Sequence, residues 1–121
     1  MNFELSDEQK MLAETARRVG EKFGLDYWRE LDSRSAFPAE IWQEICVAGL
    51  CGVAVPEAYG GSGLGMLEVA ICVESLCAAG GGSTLSQMFM LNPIFGGVTL
   101  SRLGNEEQKR AMLPGLVSGE L

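Results

Sequence analysis

Gly60-Gly61-Ser62-Gly63-Leu64-Gly65 has the composition of a loop that could cradle phosphate. A P-loop, however, ends in Gly-Lys-Ser/Thr after a strand, and a dinucleotide fingerprint needs a strand–turn–helix unit. Neither surrounds this run, which therefore reads as a structural turn. Glu68 and Glu74 stand on an otherwise apolar segment, where burial would raise their pKa values and suit them to acid–base work. Pairing with an arginine or capping a neighbouring helix end is the plainer use of such residues. The four cysteines form two pairs, Cys46/Cys51 and Cys72/Cys77, each five residues apart. That is not the two-residue gap of zinc pairs, and on a helix residues five apart diverge by about 140°. With no histidine in the chain, the common Cys/His zinc sites and Ser-His or Cys-His catalysis are ruled out here. The thiols are expected to be free and buried in a reducing compartment, and no metal site is expected.

One further group could meet a ligand. Gln87, Leu91, Asn92 and Phe95 recur at i, i+4, i+5 and i+8, a helical spacing that collects them on one face. That face mixes apolar bulk with two amides. Core packing produces such stripes. So does the wall of a pocket for a long apolar ligand, which is greasy with a few placed polar groups.

Helices must position these residues. Ser6 followed by Gln9 is a capping box, with Asp7 and Glu8 at the positive end of the helix dipole. Met11, Leu12, Thr15, Ala16, Val19 and Phe23 then form an apolar stripe, and Gly24 suits the stop. A short helix over 26–31 follows. Pro38 opens another, whose buried face is Ile41, Trp42, Ile45 and Cys46 and which Gly49 ends. Pro56 and the glycines after it mark a loop, with a short extended segment over 53–55 before it. Residues 66–79 are apolar almost all round, the pattern of a central helix covered on several sides. The 83–103 segment has the same character, and Pro93 should kink or divide it. Asn105, Glu106, Glu107 and Gln108 cap a last helix. Its inward residues are Ala111, Met112, Leu113, Leu116 and Val117, and Pro114 weakens its final turn. The expected fold is all-α, an antiparallel up-and-down bundle of five or six helices.

Bulk properties set the outer limits. A chain of 121 residues, 47% hydrophobic, makes one domain with one core. Its apolar runs are interrupted before the roughly 20 residues a membrane helix needs, so no membrane span is expected. Asn2, Glu4 and Asp7 replace the basic cluster of a secretion signal, which makes the cytoplasm the expected location. A net charge of −7 disfavours nucleic acid as a partner.

Several phrases, in this order and spacing, resemble the acyl-CoA dehydrogenase family. They are Leu5-Ser6-Asp7-Glu8-Gln9, Phe37-Pro38 leading to Trp42, and Gly49-Leu50-Cys51-Gly52 followed by Val55-Pro56-Glu57-Ala58-Tyr59-Gly60-Gly61. Leu103-Gly104-Asn105-Glu106-Glu107-Gln108-Lys109 and Leu113-Pro114 with Gly119-Glu120 complete the set. The resemblance implies that residues 1–121 are the N-terminal helical domain, with a flavin-binding β domain and a C-terminal helical domain missing. It implies oxidation of an acyl-CoA thioester to the 2,3-enoyl-CoA by the complete enzyme, a homo-oligomer of fatty acid metabolism. FAD takes the hydride and a separate electron acceptor reoxidises it. In similar enzymes the catalytic glutamate and the FAD contacts lie in the later domains, so no catalytic residue is expected here. The family's acyl-pocket positions map onto Gln87, Leu91, Asn92 and Phe95. The same phrases would suit an oxidase or a reductase on this scaffold.

A reading of another class is a stand-alone helical module that binds a partner and catalyses nothing. A domain of a larger enzyme should expose an apolar patch where its neighbours dock. A polar-surfaced bundle would favour the module.

Overall fold

A computed structural model describes residues 2–121. The helices are α1 (Asp7–Glu21), α2 (Leu25–Arg34), α3 (Ala39–Val47), α4 (Met66–Leu76), α5 (Gly82–Phe89), α6 (Thr99–Leu103) and α7 (Glu106–Ser118). A π-helical segment, Met90–Val98, joins α5 to α6, so the described residues make six helical rods. The all-α expectation holds.

α1 starts as its sequence dictates. Ser6 Oγ accepts from the Gln9 amide at 3.1 Å, and Gln9 Oε1 accepts from the Ser6 amide at 3.0 Å. The same Gln9 donates its Nε2 to Glu68 Oε1 at 2.8 Å, linking the first turn of α1 to the first turn of α4. At the other end of the seam Gly20 lies against Leu76 and Ala79, and a Cβ there would stand 2.6 Å from the Ala79 Cβ. α1 and α4 therefore run parallel, side by side, although two helices and a loop separate them in sequence. Consecutive neighbours are antiparallel: α4 against the rod after it, and that rod against α7. Ala16 and Val19 carry the buried face of α1, while Met11, expected inside, is 72% exposed.

α2 is longer than expected at both ends, and Gly24 serves as its N-cap rather than as the stop of α1. In α3, Ile41 and Ile45 are fully buried, and Trp42 and Cys46 pack half-buried beside them. Gly49 takes a left-handed φ of 76° and turns the chain back into a tight helical turn, Leu50–Gly52. The 53–55 segment is not extended. Its carbonyls instead accept from the loop that follows: the Leu64 amide bonds Val53 O and the Gly63 amide bonds Val55 O, both at 2.9 Å. Gly61 is required there, because a Cβ would collide with the Val55 carbonyl. This is the glycine run that resembled a phosphate loop. Its amides are spent on its own chain, and Tyr59 ties it to α7 by donating to Glu106 at 2.9 Å.

Met66–Leu103 is the stretch long and apolar enough, by composition, to cross a membrane. Gly80, at φ 130°, divides it into two helices. α4 is not covered on all sides, contrary to its pattern. Val69, Ile71, Cys72 and Leu76 are buried, but Met66 and Leu67 are 40% and 59% exposed. Pro93 does not divide the second rod. Proline in an α-helix removes one hydrogen bond and clashes with the preceding turn, and the turn widens around it. Wide π turns close i→i+5 bonds, and here the Thr99 amide reaches Ile94 O.

The widening resets the period. Leu85, Phe89, Pro93 and Gly97 are all buried, four residues apart each time. On an ideal α-helix such a series would drift by about 40° per step. In α7 only Leu113 is fully buried. Ala111 and Met112, expected to face inward, are exposed, Leu116 and Val117 are half-buried, and the helix continues past Pro114 to Ser118.

Candidate functional site

Gln87, Leu91 and Phe95 stand together on the outer face of the 82–103 rod, opposite the buried series. Leu91 is 67% exposed and Phe95 59%. Helical spacing identified these three correctly as one face. Asn92 does not join them. Five residues after Gln87, it turns to the flank facing α7, where its Nδ2 donates to the Leu121 carbonyl at 3.1 Å. Its Oδ1 is buried and has no donor among the described residues.

Two apolar hollows adjoin the stripe. One, of about 360 Å³, lies between α4 and the rod and is walled by Met66, Val69, Ala70, Val73, Met90 and Ile94. The other, of about 400 Å³, lies where the rod's end meets α7, with Phe95, Leu100, Leu103, Met112 and Leu116 among its residues. Both volumes fall in the range of small-molecule pockets, and both hollows are open on one side. Spacing within a single helix could not reveal them, because each is made by two helices. The available signal was α4 itself: a helix with no polar face is either buried all round or missing a cover.

Neither hollow has a lysine or arginine in its wall. A dinucleotide diphosphate such as that of FAD therefore does not fit them, and the surplus of acidic over basic side chains points the same way.

The candidate acid–base residues take structural roles. Glu68 Oε2 accepts from the Gly65 amide at 2.9 Å, so it caps its own helix while Oε1 holds Gln9. The Gln9 hydrogen bond, followed by those from backbone amides, holds the Glu68 carboxyl below its ordinary range. A raised pKa was one expectation for this residue, and these hydrogen bonds reverse it. Glu74 is exposed beside the α4 hollow.

The cysteines are free. Burial pushes the Cys72 thiol up to about 12 and raises the other three as well. One expectation fails here. Cys46 and Cys51 do share a space, with Sγ atoms 3.5 Å apart. The 140° divergence assumed a continuous helix, whereas α3 ends at Val47 and Gly49 folds the chain back.

Known proteins match the whole of this arrangement. The family model for the acyl-CoA dehydrogenase N-terminal domain matches residues 6–120. Acyl-CoA dehydrogenase FadE12 of Mycobacterium tuberculosis is 30% identical over 116 residues, which is 96% of this chain and 29% of that protein. The structure of butyryl-CoA dehydrogenase from Megasphaera elsdenii superposes with a TM-score of 0.85 at 28% identity, covering 99% of this chain and 32% of the other. An FAD complex of PigA gives 0.87 at 28% identity, covering 100% and 32%. The chain thus spans under a third of the length of the proteins it matches.

Proposed function

Because this chain belongs to the acyl-CoA dehydrogenase family through that family's N-terminal domain, we propose that it supplies one wall of the acyl pocket in a flavin-dependent acyl-CoA dehydrogenase. In this reading the complete protein oxidises an acyl-CoA thioester to the 2,3-enoyl-CoA, with FAD as hydride acceptor and a separate acceptor for the electrons. FAD and the catalytic base belong to a β domain and a C-terminal helical domain outside these 121 residues. The protein works as a homo-oligomer in the cytoplasm, in fatty acid metabolism.

The observation that carries this reading is the exposed apolar band. Leu91, Phe95 and Met90 lie open on a rod whose other face is fully packed, with a hollow on each side. A contiguous apolar face of this kind marks a surface meant to be covered. Leu91 and Phe95 contact the acyl tail, and Gln87 sets a polar point on the same wall. Asn92 holds the Leu121 carbonyl rather than the ligand. The acidic surface leaves the phosphates of CoA to another domain or subunit. A stand-alone module with a polar surface is disfavoured by the same band.

Replacing Leu91 or Phe95 with Ala in the complete enzyme enlarges the pocket. The optimum should move toward longer acyl chains, with kcat/KM changing about fourfold per added methylene, from about 0.8 kcal/mol each. An unchanged chain-length profile in both variants would reject the wall assignment. The isolated 121-residue chain should purify colourless, and stoichiometric FAD absorbance would show that the cofactor site is misplaced.

A further inference from the structure

The turn at Gly49 brings together two thiols that the spacing alone would keep apart. We propose that Cys46 and Cys51 are a modification site, a dithiol that closes to an intramolecular disulfide when it meets a peroxide. Their sulfurs are in contact at 3.5 Å, and a disulfide needs about 2.05 Å. The missing distance is on the order of 1.5 Å, shared between two side chains at the end of a helix and in a tight turn. Cys72 and Cys77 have the same spacing but lie in α4 and its helical continuation, where no such contact forms.

The two thiols are unequal, and that assigns their parts. Cys46 is half-buried and Cys51 is 2% exposed, so Cys46 is the sulfur a peroxide reaches. Hydrogen peroxide transfers one oxygen to Cys46, giving a sulfenic acid and one water. The Cys51 sulfur then attacks the Cys46 sulfur, and the S–S bond forms as the S–O bond breaks. The hydroxyl leaves with the Cys51 thiol proton as a second water. Two electrons pass from the sulfurs to the peroxide O–O bond. Burial raises both thiols, which keeps the reactive thiolate scarce. Closure is therefore a slow response to sustained oxidant.

The position gives the modification a consequence. Cys46 Sγ sits beneath Gly119, so close that a Cβ on Gly119 would collide with it. Gly119 is the left-handed C-cap of α7, at φ 83°, two residues before the Leu121 carbonyl that Asn92 holds. Drawing Cys46 toward Cys51 takes away the support under that cap and loosens the end of α7.

The test uses the complete protein, treated with hydrogen peroxide until Met11, which is 72% exposed, is converted to its sulfoxide. Alkylation with N-ethylmaleimide under denaturing conditions and cleavage after glutamate follow. Cuts at Glu44, Glu57, Glu68 and Glu74 leave Cys46 and Cys51 in one peptide, 45–57, and place Cys72 and Cys77 in separate ones. The expected result is a 45–57 peptide two hydrogens lighter and unalkylated. At the same dose Cys72 and Cys77, with no thiol in contact, should form no disulfide, because only within 45–57 is the closing step intramolecular. Cys46→Ser should leave Cys51 reduced at the same dose. Recovery of 45–57 with both thiols alkylated would overturn the proposal, as would higher oxides on Cys46 beside an intact Cys51. The wild-type measurement decides the matter even if the variant fails to fold.

Discussion

The two faces of the 82–103 rod carry similar residues to opposite ends. Leu85 and Phe89 are fully buried on one face, while Leu91 and Phe95 stand more than half exposed on the other. Side-chain chemistry alone does not separate a leucine that holds the fold from a leucine that awaits a ligand. What separates them is whether another element of the chain arrives to cover it. α4, the 53–55 segment and α7 cover the inner face, and among the described residues nothing covers the outer one.

The comparison is tested most severely at Phe89. Its replacement by Ala should cost about 3–5 kcal/mol, through lost burial and the cavity left behind, measured by denaturant unfolding. Asn92→Ala comes next. It removes the bond to Leu121 but also an acceptor with no donor, so the loss should stay below about 1 kcal/mol. A smaller effect is expected from acid. The Glu68 carboxyl is held below its unfolded value, so its stabilising contribution is complete above the ordinary carboxylate range and is lost as pH falls through the depressed folded value. Titrating stability from pH 7 downward should show this loss, and Glu68→Gln should flatten that part of the profile. The smallest change belongs to the outer face, where Leu91→Ala and Phe95→Ala should alter stability by no more than about 0.5 kcal/mol. A loss in either comparable to that of Phe89→Ala would mean that the outer face is covered in solution, and the contrast would be gone.

Much of this was legible in the residues. The Ser6–Gln9 capping box forms as written, and the expected cap at Asn105 forms as a second box with Gln108, because a cap is decided within four residues. The break near Gly80 and the grouping of Gln87, Leu91 and Phe95 on one face follow from local spacing as well, but which way that face looks does not. The misses have identifiable physical origins. Met11, Met112 and the open side of α4 were assigned inward because apolar periodicity shows which side is greasy, not whether anything lies against it. The Cys46/Cys51 contact escapes spacing because α3 ends between the two residues, whereas Asn92, five residues after Gln87, diverges from it by about 140° even on an ideal helix. The hollows were invisible because they arise between helices far apart in sequence.

The widened turn around Pro93 has an effect on whatever lies against the rod. In an ordinary α-helix, side chains at 87, 91, 95 and 99 would wind gradually around the barrel of the helix, and a linear molecule could follow them for only a turn or so. Here the broader winding reduces that drift, and all four positions are exposed while those two residues before each are buried. The result is a straighter rail than an ordinary α-helix offers to whatever covers it.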